Sequence, residues 1–217
     1  MAKLFLRYAV MNAGKSTQLL QIAYDYEKNN GKRVLCLKPQ VDTKADKYII
    51  SRLENGTIKR KADFLTHPQD GWMYDKILSE KLAAEKRGKP FSLILIDEAQ
   101  FMSKENVFDL ARIVTYLNIP VICFALKVDA FGIPFEGSSY LFGLAQDIEE
   151  VTTRAICRFS DTPKKATIHL RTVDGVPVFE GDQVSIEDDR EIKYIPICLS
   201  QYMKRYDAAK GIKRAKP

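Results

Sequence analysis

The stretch LFLRYAVMNAGKS, residues 4–16, decides how the rest of the chain is read. LFLRYAV is apolar and rich in β-favouring residues, as a buried strand is, and it runs directly into MNAGKS. Leu19, Leu20, Ile22, Ala23 and Tyr26 then recur at helical spacing until Asn29-Asn30-Gly31 supplies a stop. Strand, loop and helix in that order, with Gly14-Lys15-Ser16 at the helix start, is the build of a phosphate-binding loop. In such a loop backbone N–H groups and the helix N-terminus cradle phosphate, the lysine reaches the outer oxygens and the serine hydroxyl holds Mg²⁺. Ala9 stands where that motif has its first glycine. Alanine is tolerable there if the backbone keeps ordinary strand-like angles. Taken alone, the tripeptide also reads as an ordinary helix start with a nearby lysine.

The rest of the chain repeats the alternation. VLCLK (34–38), closed by Pro39, FSLILID (91–97) and VICFAL (121–126) are continuous apolar runs of the kind found in parallel sheets covered on both faces. Helical patterns lie between them. One spans about Trp72 to Arg87; in a second, Val107, Leu110, Val114 and Leu117 follow an N-cap at Ser103; a third spans about Ser138 to Glu149. Strands alternating with helices predict βαβ units in a right-handed parallel sheet. From Val151 the texture changes to short β-like pieces: ATIHLRT, a turn at Asp174-Gly175, VPVF, QVSI and IKYIPIC, followed by a helical, basic tail. The expected division is an α/β domain over 1–150, a small β-rich subdomain over 151–205 and a basic tail over 206–217.

Composition narrows the function classes. A length of 217 residues suits one main domain with a smaller appendage. The net charge of +6 is scattered apart from KRVLCLK, TIKRKAD and the tail from Lys204 to Lys216, the pattern of a solvated face. No nucleic-acid partner is expected on that basis. No run reaches the roughly 18 apolar residues of a membrane span, and MAKLFLRYAV lacks the long apolar core of a signal peptide. A cytoplasmic protein with no membrane partner is expected. Cys36 and Cys123 sit in apolar runs and read as buried free thiols.

A second chemical element appears where the first needs it. LILIDE is an apolar strand ending in Asp97-Glu98, which delivers one acid to Mg²⁺ beside the loop and a second toward an acceptor. Solvated carboxylates at a strand end are the plain alternative. With both elements in one α/β pattern, an ATP site is the expectation.

MNAGKS, taken together with KPQVDTK, ISR, LILIDEAQF and PFEGS, resembles the type II thymidine kinase family, over residues 4 to about 202. The resemblance implies a P-loop (RecA-like) parallel sheet with helices on both faces, plus a small β-rich C-terminal lasso subdomain. It implies transfer of the γ-phosphate of ATP to the 5′-hydroxyl of thymidine or deoxyuridine. Site roles follow: ATP on Ala9, Val10, Met11, Asn12, Ala13, Gly14, Lys15, Ser16, Asp97, Glu98, Ala99 and Gln100; Mg²⁺ through Ser16 and Asp97; Glu98 as general base. Met11, Phe101, Leu126, Phe131, Phe135 and Tyr194 are implied around the nucleoside, although aromatics are more often packing residues. Asp42 of VDTK matches a segment near the metal and phosphates, with Lys44 in place of an arginine. A homotetramer is a family habit.

Departures from the pattern cluster on the nucleoside side. LKVDAFG has Lys127 in place of an arginine and displaces Phe131 by one position. The family's structural zinc uses two closely spaced ligand pairs. Here they read Cys157 with Ser160 and Cys198 with Gln201, not a stable tetrahedral set, so zinc is not expected. QVSIEDDREIKY carries Glu-Asp-Asp where relatives turn on glycines. His169 reads as a satisfied structural residue, the commoner role of a lone histidine. Two further readings stand beside the kinase: an ATP-binding homologue with altered specificity or reduced catalysis, and a nucleic-acid-stimulated ATPase suggested by DEAQ. Helicase motors need two motor domains, for which 217 residues leave no room.

Overall fold

The apolar runs of the sequence become the strands of one parallel sheet. The computed structural model describes residues 1–40, 47–53, 56–67, 73–151, 155–181 and 191–213. They divide into two units. The first takes Met1–Tyr8, Gly14–Lys127 and Phe135–Val151; the second takes Ala9–Ala13, Val128–Pro134 and 152–217.

In chain order the first unit runs β1 (Leu4–Tyr8), α1 (Lys15–Tyr24), β2 (Arg33–Pro39), β3 (Tyr48–Leu53), β4 (Gly56–Lys61), β5 (Phe64–Thr66), α2 (Met73–Lys86), β6 (Phe91–Ile96), α3 (Lys104–Arg112), β7 (Val121–Ala125), α4 (Glu136–Leu144) and β8 (Asp147–Glu150). Six strands pair in the order β5-β2-β6-β7-β1-β8, every neighbour parallel. The inner strands bury nearly every side chain, including Leu35, Leu37, Ile94, Ile96, Val121 and Cys123. A fully buried Leu or Ile contributes about 1.5–3 kcal/mol, so a sheet covered on both faces tolerates these unbroken apolar runs. Cys36 and Cys123 are buried free thiols.

The helices begin and end for local reasons. Ser103 caps α3: its Oγ accepts from the Asn106 N–H at 3.3 Å while Asn106 Oδ1 accepts from the Ser103 N–H at 3.4 Å. A wider turn over Ile113–Leu117 continues α3 until Asn118, in the left-handed region at φ 51°, ends it. The helix expected over 72–87 is Met73–Lys86; Trp72 lies outside the described residues.

Besides edge strand β5, which the sequence reading lacked, two features depart from it. Helix α4 stops at Leu144, and Asp147–Glu150, where the sequence reading ended a helix at about Glu149, form edge strand β8 against β1. The physical reason is Arg7 on β1, whose guanidinium binds Asp147 at 2.6 Å and Glu149 at 3.1 Å. Carboxylates two residues apart share one face of a strand but would lie on nearly opposite sides of a helix. The second feature is the antiparallel hairpin β3–β4, absent from the sequence reading. It places most of TIKRKAD on a solvated strand and turns Arg60 inward to Glu27 at 2.7 Å and the Val34 carbonyl at 3.2 Å.

The second unit is an antiparallel sheet, β9 (Ile168–Val173), β10 (Val176–Val178) and β11 (Ile192–Ile197), in the order β10-β9-β11, followed by α5 (Leu199–Ala209). Asp174-Gly175 forms the β9–β10 turn with both residues at positive φ, 50° and 81°. That is the two-residue geometry Asp-Gly favours, because its twist matches the strands. Cys157, Ile168, Leu170, Phe179, Ile197, Cys198 and Tyr202 form its core. The expected QVSI strand, 183–186, lies outside the described residues.

Candidate active site

In the first unit, the end of β6 and the start of α1 meet. Gly14, at φ 79°, precedes the helix, and the Gln18 N–H makes the first helical bond, to the Gly14 carbonyl. The first turn of a helix directs its backbone N–H groups outward along the axis, which is the basis of the affinity of helix N-termini for anions. Lys15 is buried there. Ser16 Oγ donates to Asp97 Oδ2 at 2.8 Å, and the Asp97 amide is fixed on the Leu37 carbonyl at 3.1 Å.

Asp97 is only 4% exposed, and its Oδ1 is buried without a hydrogen-bond partner. Desolvation, and then the charge of Glu98, push its pKa up to about 7. A buried carboxylate oxygen left open beside a serine hydroxyl is a hard-oxygen pair of the kind Mg²⁺ takes, so these residues fit that ion. The next residue turns the other way. Glu98 adopts φ 50°, ψ 39°, a conformation that costs a non-glycine residue about 1 kcal/mol or more and is held only by its surroundings. Gln100 does the holding: its Nε2 donates to Glu98 Oε2 at 2.5 Å while its Oε1 accepts from the Leu126 N–H at 3.0 Å. Phe101 and Phe135 pack edge to face, centroids 5.6 Å apart.

Gly137 of PFEGS supports this turn from behind. A Cβ there would lie 2.6, 2.7 and 2.9 Å from the carbonyl oxygens of Ala99, Met102 and Gln100. Only glycine lets α4 approach so closely. Ser138 locks the same contact through its hydroxyl on the Leu126 carbonyl. The motif itself does not disclose the role of Gly137, because nothing local distinguishes it from any helical glycine.

In the second unit, Ala9–Ala13 carries Asn12 at φ 58°. The left-handed positions along residues 9–16 are therefore Asn12 and Gly14, which is why Ala9 needs no glycine freedom. The Met11 N–H donates to Nε2 of the buried His169 at 2.6 Å. The Val128–Pro134 loop winds on Asp129, whose Oδ1 accepts from the Phe131 and Ile133 amides at 2.8 Å each. Arg171 lies over the Phe131 ring at 5.7 Å, and Tyr194 pairs with Arg171 across β9 and β11.

With this geometry in place, the comparisons are specific. The profile described as thymidine kinase matches residues 2–202. A thymidine kinase of Lactococcus lactis subsp. lactis is 42% identical over 204 residues, 94% of this chain and 98% of the relative. One from Streptococcus pyogenes serotype M28 is 40% identical, over 93% and 97%. One from Streptococcus agalactiae serotype Ia is 39% identical at the same coverage.

The chain belongs to the thymidine kinase family.

Thymidine kinase membership raises the question of zinc. Cys157 and Cys198 share the core of the second unit. Cys198 Sγ lies 3.3 Å from Ser200 Oγ, and Gln201 Oε1 is taken up by Arg205 at 2.7 Å. The Arg205 guanidinium sits 4.1 Å from the Phe159 ring centroid. Two thiols with an amide oxygen already held by Arg205 do not fit a tetrahedral zinc set. Among the described residues no group of three or more His, Cys, Asp or Glu gathers around a common point for a metal. Asp42, Lys44 and most of QVSIEDDREIKY lie outside the described residues. No helix among the described residues is long and apolar enough to cross a membrane.

Proposed function

We propose that this thymidine kinase transfers the γ-phosphate of ATP to the 5′-hydroxyl of thymidine or deoxyuridine, with Glu98 as the general base. The observation that carries this reading is the Ser16–Asp97 hydrogen bond. It joins the end of the phosphate-binding sequence to the strand end that also bears Glu98. Ala9–Ser16 and Asp97–Gln100 are assigned to ATP, with the amides at the start of α1 and Lys15 receiving phosphate charge. Ser16 and Asp97 would hold Mg²⁺, which supplies charge neutralisation at the phosphates when bound.

Glu98 is assigned the proton of the attacking hydroxyl. Its backbone is left-handed, the Gln100 amide donates to one carboxylate oxygen, and the other is assigned the proton. Two adjacent acids thereby acquire different work. Asp97 is buried and hydrogen-bonded to Ser16; Glu98 is half-buried and hydrogen-bonded to Gln100. Met11, Phe101, Leu126, Phe131, Phe135 and Tyr194 are assigned to the nucleoside, with 1–150 as the ATP-binding part, 151–205 as a metal-free lasso part and 206–217 as the tail. A cytoplasmic homotetramer completes the proposal; light scattering on the purified protein checks the subunit number. The reading as an ATP-binding homologue with altered specificity or reduced catalysis is not favoured, since the family match runs through residue 202.

Glu98→Gln tests the assignment. It keeps the size and the Gln100 contact but removes the basicity, so turnover of thymidine in a coupled assay drops by roughly 10²–10⁴ with ATP affinity by calorimetry unchanged. Near-full activity in this variant refutes Glu98 as base.

A further inference from the structure

One strand of the second unit supports two separate loops. Residues two apart on a strand share a face, so His169 and Arg171 of β9 point the same way, 2% and 9% exposed. His169 takes the Met11 amide, and Arg171 covers the Phe131 ring. The first loop needs such an anchor. Asn12, next to Met11, sits in the left-handed region, and Met11 itself is half-buried with its amide directed inward. Accepting through Nε2 requires a neutral imidazole that carries its proton on Nδ1, so the bond selects one tautomer.

We infer that His169 is a positioning residue for the nucleoside side of the reaction, setting thymidine affinity by holding Met11 through its backbone amide. This rests on the assignment of Met11 to the nucleoside. His169 acts through Met11 and takes no proton in the transfer itself. A glutamine at 169 carries an amide oxygen at nearly the reach of Nε2 and can accept the same bond; alanine cannot.

The test uses the full chain with His169→Ala and His169→Gln. In H169A the thymidine KM rises about tenfold, the worth of one buried hydrogen bond, while kcat stays within about threefold. Hydrogen exchange of the peptide containing the Met11 amide speeds up by a similar factor. H169Q restores both readouts toward wild type. The inference is overturned if H169A leaves thymidine KM and Met11 protection unchanged, or if H169Q rescues neither. Loss of protection without a rise in KM also overturns it, leaving His169 a structural anchor only. A wild-type protein that phosphorylates no nucleoside sinks the functional assignment instead, and the exchange comparison still decides whether His169 holds Met11.

Discussion

Replacing Asp97 by Asn separates what the site costs the fold from what it gives to catalysis. Asp97 is buried beside Glu98, and its pKa is raised from 3.8 to about 7. The sign follows directly. An acid whose pKa is higher in the folded state binds its proton more tightly there, so the stability it permits is complete below pH 3.8 and is lost as pH rises through about 7. Asparagine keeps an acceptor for Ser16 and never ionises, so it is spared that loss. The advantage of D97N over wild type grows by roughly 3 kcal/mol between about pH 5 and about pH 7. In a protein of this size 1 kcal/mol moves Tm by about 2–4 °C. Differential scanning fluorimetry without nucleotide or Mg²⁺ thus shows D97N gaining ~5–10 °C more over wild type at about pH 8 than at about pH 5. Kinase activity falls by roughly 10² or more in the same variant, since a charged contact to the metal is removed. A Tm difference independent of pH refutes the burial argument, and full activity refutes the role of Asp97 at the metal.

Other outcomes follow from neighbouring geometry. Because Asp97 must release its proton to meet Mg²⁺, apparent Mg²⁺ affinity weakens by nearly tenfold per pH unit below about 7, read from Mg²⁺-dependent thermal shifts with ADP present; no pH dependence contradicts it. Gln100→Leu strands the buried Leu126 amide and frees Glu98, costing about 1–3 kcal/mol of stability, with a larger loss in kcat than in thymidine KM. Gly137→Ala drives a methyl into three backbone oxygens, lowering stability by about 1–3 kcal/mol and depressing activity although residue 137 carries no reacting group; an unchanged Tm refutes the packing account.

What could be read in advance depended on how local its cause was. The strands at 34–38, 91–97 and 121–126 are unbroken apolar runs, the Ser103 cap is a one-turn interaction, and the Asp174-Gly175 turn needs only its own two residues. The β8 strand could not be read this way. Its sequence suits a helix, and what makes it a strand is Arg7, about 140 positions earlier. The hairpin β3–β4 is equally non-local, its inward arginine defined by Glu27 and Val34. At the candidate site the Gly-Lys-Ser and Asp-Glu elements were visible as motifs. The raised pKa of Asp97, the left-handed turn at Glu98, and the latch through Gln100 to Leu126 emerge only once strands β6 and β7 lie side by side.

The two borders of the six-stranded sheet carry a consequence for how copies of this chain meet. At one border β5 is only three residues long. At the other, β8 is four residues long and carries Asp147, Glu149 and Glu150, with one arginine, Arg7, between the first two. A short strand and a charged one are both poor templates for edge-to-edge growth. The borders of the sheet thus carry a built-in resistance to strand-swapped aggregation, set by strand length at one side and by charge at the other.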